Sequence, residues 1–529
     1  MHAVWRIAEL AEMIMEHLPQ DDVKRIMRCC RWHFALAVPI AWRSVDTATL
    51  DRLIEALPFR TNAANVSSLF GLHGRLLLTY FKATTRLSIY TRDVHNLKLS
   101  LAGEAAWTKH HEAVKILRPL LLAKDVVHLF PSMKFLEVEF HKIESVEVAT
   151  LFIHPTLQRL RILGSMSMDS DYEEQDLLQC MAKFRTKLVQ AEGLIEFSSE
   201  VYDVDHGIRD ILLETMFNVS AKLASLQLSG FPLTQSTLSS LIALPNLRSL
   251  TLDVVEGNVL LPEAAKDLPY FSILSTFSCR VEESSSILAL LSKMETLRKL
   301  DLELEYVGEE EFLDLHELAL FIARSKATIR DVRIVVGGCN VSWTLSEFSP
   351  LLDCHDLQYM GLNIWCDLQH ATDDSFRTMA QAWPDLRSFI FGTIPRLISR
   401  WTQSDNGGKA KATVSLDVLC FFAVYCPKLE RIAFTGIDIS PTFTSSLVVS
   451  PPNYSHSPLS LRLNRLVGIF VAKDVAQYVG SLYPGRVITL DGVDTFYNSL
   501  QEALDSQREA YLTQQETHAH STAAKSITE

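Results

Sequence analysis

The chain has 529 residues, 48% apolar and 21% charged, and its 50 Lys+Arg against 63 Asp+Glu leave a formal net charge of −13. That is globular, too apolar for a disordered chain, and too acidic, with no run of five Lys/Arg, for a protein whose main partner is nucleic acid. The longest apolar stretch, Val418 to Cys426, is far short of the about 18 residues that span a bilayer, and Glu9, Glu12 and Glu16 stand where a signal peptide is apolar.

A non-secreted protein, cytoplasmic or nuclear, is therefore expected. Its nine cysteines are irregularly spaced, never form Cys-x-x-Cys, and read as free thiols of a reducing compartment.

Residues 5 to 45 predict three short helices. Ile7, Leu10, Ile14 and Leu18 fall on one stripe at helical spacing, and Pro19 ends that helix. Asp21 or Asp22 can cap a second helix carrying Val23, Ile26, Met27 and Cys30; a third runs from about Trp32 to Val38, ending before Pro39. Three helices in about forty residues bury little surface alone, so the rest of the chain or a partner must cover them. Trp32 and Trp42 are the exposed aromatic candidates for that contact.

The order Ile-x-Glu-Leu, Ile-x-x-x-Leu, Asp-Asp-Val, Cys-x-x-Trp and a closing Trp-Arg-x-Val resembles an F-box, and the layout is similar to the F-box/leucine-rich-repeat-like proteins of mushroom-forming fungi. The resemblance implies docking on the Skp-type adaptor of a cullin-RING (SCF) ubiquitin ligase. Carried over position by position, it makes Ile7, Leu10, Ile14, Leu18, Val23, Ile26, Cys30, Trp32 and Trp42 the core and adaptor-facing surface of a module spanning residues 1–48. Where the family has a proline before Glu-Leu, this chain has Ile7-Ala8, a departure that bears on adaptor affinity more than on fold. The competing reading is a generic three-helix cap on a solenoid.

Beyond a helical linker or cap at 49–90, a repeat dominates. Pro245-Asn-Leu-Arg-Ser-Leu-Thr-Leu252 sets a template, Pro-x-Leu-x-x-Leu-x-Leu, whose apolar triplet recurs from Val94/Leu97/Leu99 to Leu429/Ile432/Phe434, with a weaker copy at Leu274/Phe277/Cys279. From Leu223 to Leu386 successive copies are 23 to 32 residues apart, bracketing the about 20–29-residue period of leucine-rich repeats. Helical patterns precede the copies, with Asp373 or Asp374 as a cap before Phe376 and Met379, and Pro131, Pro155, Pro245, Pro384 and Pro427 stop them. Each unit predicts a helix, a proline stop and a short strand, and neighbouring strands can pair in parallel.

The expected fold is thus α/β: the three-helix F-box module, then a leucine-rich-repeat-like solenoid over 91–495 with parallel strands on its concave face. The array lacks the family's Asn or Cys ladder after the strand. The 66 residues between Leu157 and Leu223 can hide one further unit, and Thr402 to Ala412 reads as a surface loop. A helix Val471 to Leu482 and a strand Val487 to Leu490 close the array, and 496–529 reads as a polar, partly disordered tail.

No catalytic constellation stands out. Gly407-Gly408-Lys409 lacks the first Gly and the Ser/Thr of a phosphate loop; the run Asp169 to Asp176 has Glu174 where a calcium loop needs Gly; His110-His111-Glu112 lacks zinc-helix spacing. A non-enzymatic receptor without cofactor or metal is expected. Strand alternation points the residues flanking the second and third apolar positions to the open face, giving Thr251, Asp253, Lys299, Asp301, Glu303, Asp331, Arg333, Tyr359 and Asn363 as the candidate target-binding strip, beside Ser225, Gln227, Ser388 and Arg431. With Glu305 and Glu309 to Glu311 this strip has an acidic centre, expected to steer a basic segment of an unidentified protein target.

Overall fold

The computed structural model describes residues 8–55, 90–100, 130–140, 143–165, 174–202, 222–232, 241–242, 244–255, 271–281, 288, 290–304, 315–336, 345–364, 372–392, 413–435, 438–440, 458–463, 472–490 and 495–528. Contacts divide the chain into two compact units: residues 1–231 with 239–251, and residues 232–238 with 252–529. Within each unit the strands pair in parallel and in sequence order. No described helix is long and apolar enough to cross a membrane.

The first unit opens with α1 (Ala8–Glu16), α2 (Gln20–Ile26) and α3 (Arg31–Ala41). Their core is Ala11, Met15, Val23, Ala37 and Ala41, flanked by partly buried Leu18, Ile26, Met27, Leu36, Ile40 and Trp42. This corrects the expected stripe by one residue: Ala11 and Met15, one turn apart, are fully buried, whereas Leu10 and Ile14 are half-exposed. Small side chains on α1 and α3 suit close approach of two helices. Two further corrections concern helix ends. Pro19, not Asp21 or Asp22, precedes the first turn of α2, and both aspartates sit inside that turn, where they complement the helix dipole. The third helix passes through Pro39, because the Trp42 N–H reaches the Val38 carbonyl at 3.0 Å and resumes the ladder beyond the missing donor.

The strands of the first unit are β1 (Ser44–Asp46), β2 (Asn96–Leu99), β3 (Phe135–Phe140), β4 (Arg159–Ser165), β5 (Glu196–Tyr202), β6 (Ser225–Pro232) and the start of β7 (Ser249–Val255). Val45 of the Trp-Arg-x-Val motif is itself a strand residue and pairs with Leu97, so the helical module runs straight into the sheet. The register stacks Leu97, Leu136, Leu160, Phe197 and Leu226 in one buried row. The gap after Leu157 hides a full unit, the helix Glu174–Val189 followed by β5. Its triplet is Leu194/Phe197/Ser199, and a fully buried serine in third place conceals it from an apolar template.

The second unit continues with β8 (Thr276–Val281), β9 (Lys299–Leu304), β10 (Asp331–Val336), β11 (Tyr359–Ile364), β12 (Ser388–Gly392), β13 (Thr413–Ser415), β14 (Arg431–Thr435), β15 (Asp438–Ser440), β16 (Leu459–Leu463) and β17 (Ile488–Leu490). β13 and β15 pair with each other apart from the main ladder. The buried row here is Phe277, Leu300, Val332, Met360, Phe389, Ile432 and Leu461. Helix Asp373–Ala382 lies on this side: Phe376 meets the rings of Phe389, Phe391 and Phe434 edge-on at 5.3 to 6.3 Å. Thr372, not Asp373 or Asp374, caps that helix, and Asp373 instead holds the Ser415 backbone at 2.8 Å.

A backbone device stands where the Asn ladder is missing. Just ahead of most strands a backbone carbonyl accepts two successive N–H groups from the next repeat. Arg43 O takes those of His95 and Asn96, both at 2.9 Å; His95, Lys134, Gln158, Ile195 and Ala224 repeat the arrangement in the first unit, and Ser275, Arg298, Arg330, Gln358 and Arg387 in the second. All these bonds span 2.7–3.1 Å, good amide geometry.

The expected disordered tail is a correction. Residues Thr495–Thr528 form one helix. Leu500 and Leu504 are buried and Gln507 and Tyr511 partly so, a stripe at helical spacing that overall polarity masks. Glycines let this helix close: Tyr511 lies 2.9 Å from where a side chain on Gly485 would begin, and Gly485 has φ +72°, which suits only glycine well.

Candidate protein-interaction surfaces

Two surfaces carry exposed recognition groups. On the helical module, Met13 is 51% and Trp32 37% exposed. Trp32 sits two residues beyond the α3 cap, where Cys30 Sγ accepts the His33 N–H at 3.5 Å, and its ring lies 5.1 Å from the buried His33 ring. That contact fixes the indole to a rigid turn. Trp42, expected to be exposed, instead packs on Tyr90 at 5.3 Å and is half-buried. Of the other predicted module residues, Val23 is buried; Leu10, Ile14, Leu18, Ile26 and Cys30 are intermediate; Ile7 lies outside the described residues. Gln20 donates to the Ala41 carbonyl at 2.9 Å and Arg43 pairs with Glu16 at 3.0 Å, tying α2 and α1 to the end of α3.

The second surface is the strand face turned away from the helices. In the second unit the register sets Lys299, Asp331, Tyr359, Ser388, Arg431 and Ser460 side by side in one row, and Asp301, Arg333, Gly361, Ile390, Ala433 and Arg462 in the next. Glu303 and Asn363 lie in a third row, either side of Val335. Thr251 and Asp253 are half-buried on β7. Seven of the nine predicted strip residues are thus brought together by register.

Within the strip Asp301 pairs with Arg333 at 3.2 Å. Glu305 and Glu309 to Glu311 of the expected acidic centre lie outside the described residues. Tyr359 sits between these charges: burial pushes its phenol up, while Arg333 and Arg431 pull it down.

A charged ladder in the first unit escaped the sequence reading. Lys98 pairs with Glu137 at 3.3 Å, Glu137 with Arg161 at 3.5 Å, Arg161 with Glu200 at 2.7 Å, and Gln227 donates to Glu200 at 3.1 Å, so one chain of contacts crosses β2 to β6. The hydrogen bond to Glu200 is the main reason the Arg161 guanidinium is held above its ordinary value. The signal was present: Lys98, Glu137 and Arg161 occupy the position between the second and third apolar sites and alternate in sign. Because its charges satisfy one another, this ladder stiffens the sheet rather than offering free charge to a ligand.

No family model matches the chain, and no curated protein matches it. Solved structures give distant likenesses. A protein from Bacteroides fragilis is 14% identical, over 54% of this chain and 83% of that one, with a TM-score of 0.29. The complex of Rad7 and Elc1 in yeast is 14% identical, over 79% and 92%, at 0.30. The complex of TLR13 with ssRNA13 is 10% identical, over 78% and 63%, at 0.30. The repeat architecture therefore stands on the strand register and the recurring buried triplets themselves. Among the described residues no three His, Cys, Asp or Glu side chains gather as a metal site.

Proposed function

We propose that this chain is the substrate-recognition subunit of an SCF-type cullin-RING ubiquitin ligase, with α1 to α3 docking a Skp-type adaptor and the strand face holding a target protein. No residue performs chemistry in this reading. The chain contributes proximity, converting a bimolecular encounter between ligase and target into a positioned one. The observation that carries it is the module's economy of burial. Three helices with the F-box order of residues close on three alanines, a methionine and a valine, and leave Met13 and Trp32 in solvent on a rigid frame. Exposed aromatic and methionine side chains on a preformed surface are the usual anchors of a protein interface.

Co-expression of the full chain with a Skp-type adaptor tests this. The wild type is expected to copurify, and Met13→Asp with Trp32→Ala to abolish copurification while the helical circular dichroism and melting temperature stay unchanged. No copurification, or binding indifferent to both changes, replaces this reading with a non-catalytic scaffold whose cap does not engage the ligase. The Ile7-Ala8 lead-in, which lacks the family's proline, favours that second reading.

A further inference from the structure

Two arginines meet at the strand starts of the second unit. Arg330 donates its backbone N–H to the Arg298 carbonyl at 2.9 Å, so the two residues stand side by side just ahead of β10 and β9. Neighbouring strands lie about 4.8 Å apart. Both arginines are exposed, and neither has an ion pair or a side-chain hydrogen bond among the described residues. Other cations of the same turns are engaged: Lys326 pairs with Asp353 at 3.9 Å, Lys428 with Asp385 at 2.6 Å and Arg387 with Glu430 at 3.9 Å. Lys299, the next residue of β9, stands beside Asp331 in register. The exposed carboxylates nearest in sequence, Glu295 and Asp356, form no ion pair with either arginine.

Like charges directly opposite on adjacent strands are destabilising. The contact that joins Arg298 to Arg330 is between peptide groups and gives no reason for an arginine on either side. The pair is also isolated, because along the same row Ser275 precedes it and Gln358 follows, both uncharged. Two adjacent guanidiniums, each a planar fork of donors, suit one group that brings two negative charges and several acceptor oxygens.

We infer that Arg298 and Arg330 together clamp the phosphoryl group of a phosphorylated segment of the target protein, with the Gln358 carboxamide beside them as a neutral donor. A phosphate monoester carries about −1.5 to −2 charges and three acceptor oxygens near neutral pH, which matches two guanidiniums; a carboxylate or a nucleic-acid diester brings one charge. A polyanion would need the basic row to continue, and it stops at Ser275 and Gln358. The inference rests on the target-binding half of the proposed function and gives that target a chemical mark.

The test passes a degenerate peptide library with phosphoserine at its centre over the immobilised full chain at about 50 mM salt, where exposed charges are only partly screened. The same library with serine or glutamate at the centre, and a labelled oligothymidylate, are passed in parallel. Retention of the phosphoserine library several times above the other three is expected. Arg298→Ala with Arg330→Ala should lower it about tenfold or more, and Arg298→Lys with Arg330→Lys severalfold, because the charge stays and the fork is lost. Lys473→Ala, an exposed cation on the helix Ala472–Leu482, should change it less than about twofold. The double alanine variant should melt no lower than wild type, since a like-charge contact is removed. Equal retention of the phosphoserine library and either the serine or the glutamate library, indifference to the double alanine variant, or stronger retention of the oligothymidylate overturns the assignment. So does a lower melting temperature of that variant, which would give the arginines a role in the fold. Neither the adaptor nor α1 to α3 takes part, so failure here is separate from failure of adaptor docking.

Discussion

Leu490 donates its backbone N–H to the Gln501 side-chain oxygen at 2.9 Å, and the same carboxamide donates to the Ile488 carbonyl at 2.8 Å. One glutamine thus offers β17 the donor and acceptor that a further strand would offer. An uncovered strand edge is a template for pairing with another chain.

Replacing Gln501 with Ala is expected to lower stability by about 1–3 kcal/mol, the cost of orphaning polar groups at a covered edge. It should also promote self-association. Sedimentation velocity over a concentration series checks the second effect; a monomer indistinguishable from wild type would show that the rest of the helix Thr495–Thr528 suffices as a cover.

The contact between Arg161 and Glu200 at 2.7 Å is partly exposed, so its worth is modest. A double-mutant cycle of Arg161→Ala and Glu200→Ala should give a coupling of about 0.5–1 kcal/mol at low salt. Chemical denaturation repeated at high ionic strength should shrink that coupling. A value that does not respond to salt would point to packing rather than charge.

Asp46 Oδ1 accepts the Thr49 N–H at 2.8 Å at the start of the helix Thr47–Glu55, and hydrogen bonding to Thr49 holds its carboxyl below the ordinary value. A depressed carboxyl stabilises the fold above its unfolded value of about 3.9, and that contribution is lost as pH falls through the lower folded value. Asp46→Asn should therefore be less stable than wild type at neutral pH, and the difference should close below about pH 4. A gap constant from neutrality into that range would contradict the assignment.

Burial pushes the Cys354 thiol up to about 11 and that of Cys426 up to about 12, so both stay protonated and poor nucleophiles at neutral pH. Cys29 is exposed. Titration of the native protein with a chromogenic disulfide should lose a fast-reacting thiol in Cys29→Ser and keep the same fast phase in Cys354→Ser and Cys426→Ser. Fast labelling of either buried thiol would reveal local opening of its repeat.

The array was legible in the sequence because burial forces its pattern: Leu247, Leu250 and Leu252 must all be apolar for the strand to sit on its helix, and the same holds at Leu357, Met360 and Leu362. Units were missed where one position departs from that rule, Ser199 in β5 and Pro458 just before β16. The helix Thr495–Thr528 was missed because four covered positions, Leu500, Leu504, Gln507 and Tyr511, are spread over a polar background. The strip from Lys299 to Asn363 followed from alternation alone. Its charge did not, because the Asp301–Arg333 pairing joins residues 32 apart whose adjacency only register reveals.

The residues whose carbonyls clasp the following repeat are Arg43, His95, Lys134, Gln158, Ile195 and Ala224 in the first unit, as varied a set of side chains as six positions allow. A joint made wholly of peptide groups asks nothing of the side chain that carries it. Such an array can drift in sequence at every seam and still hold its geometry, which leaves a consensus search only the buried triplets to find.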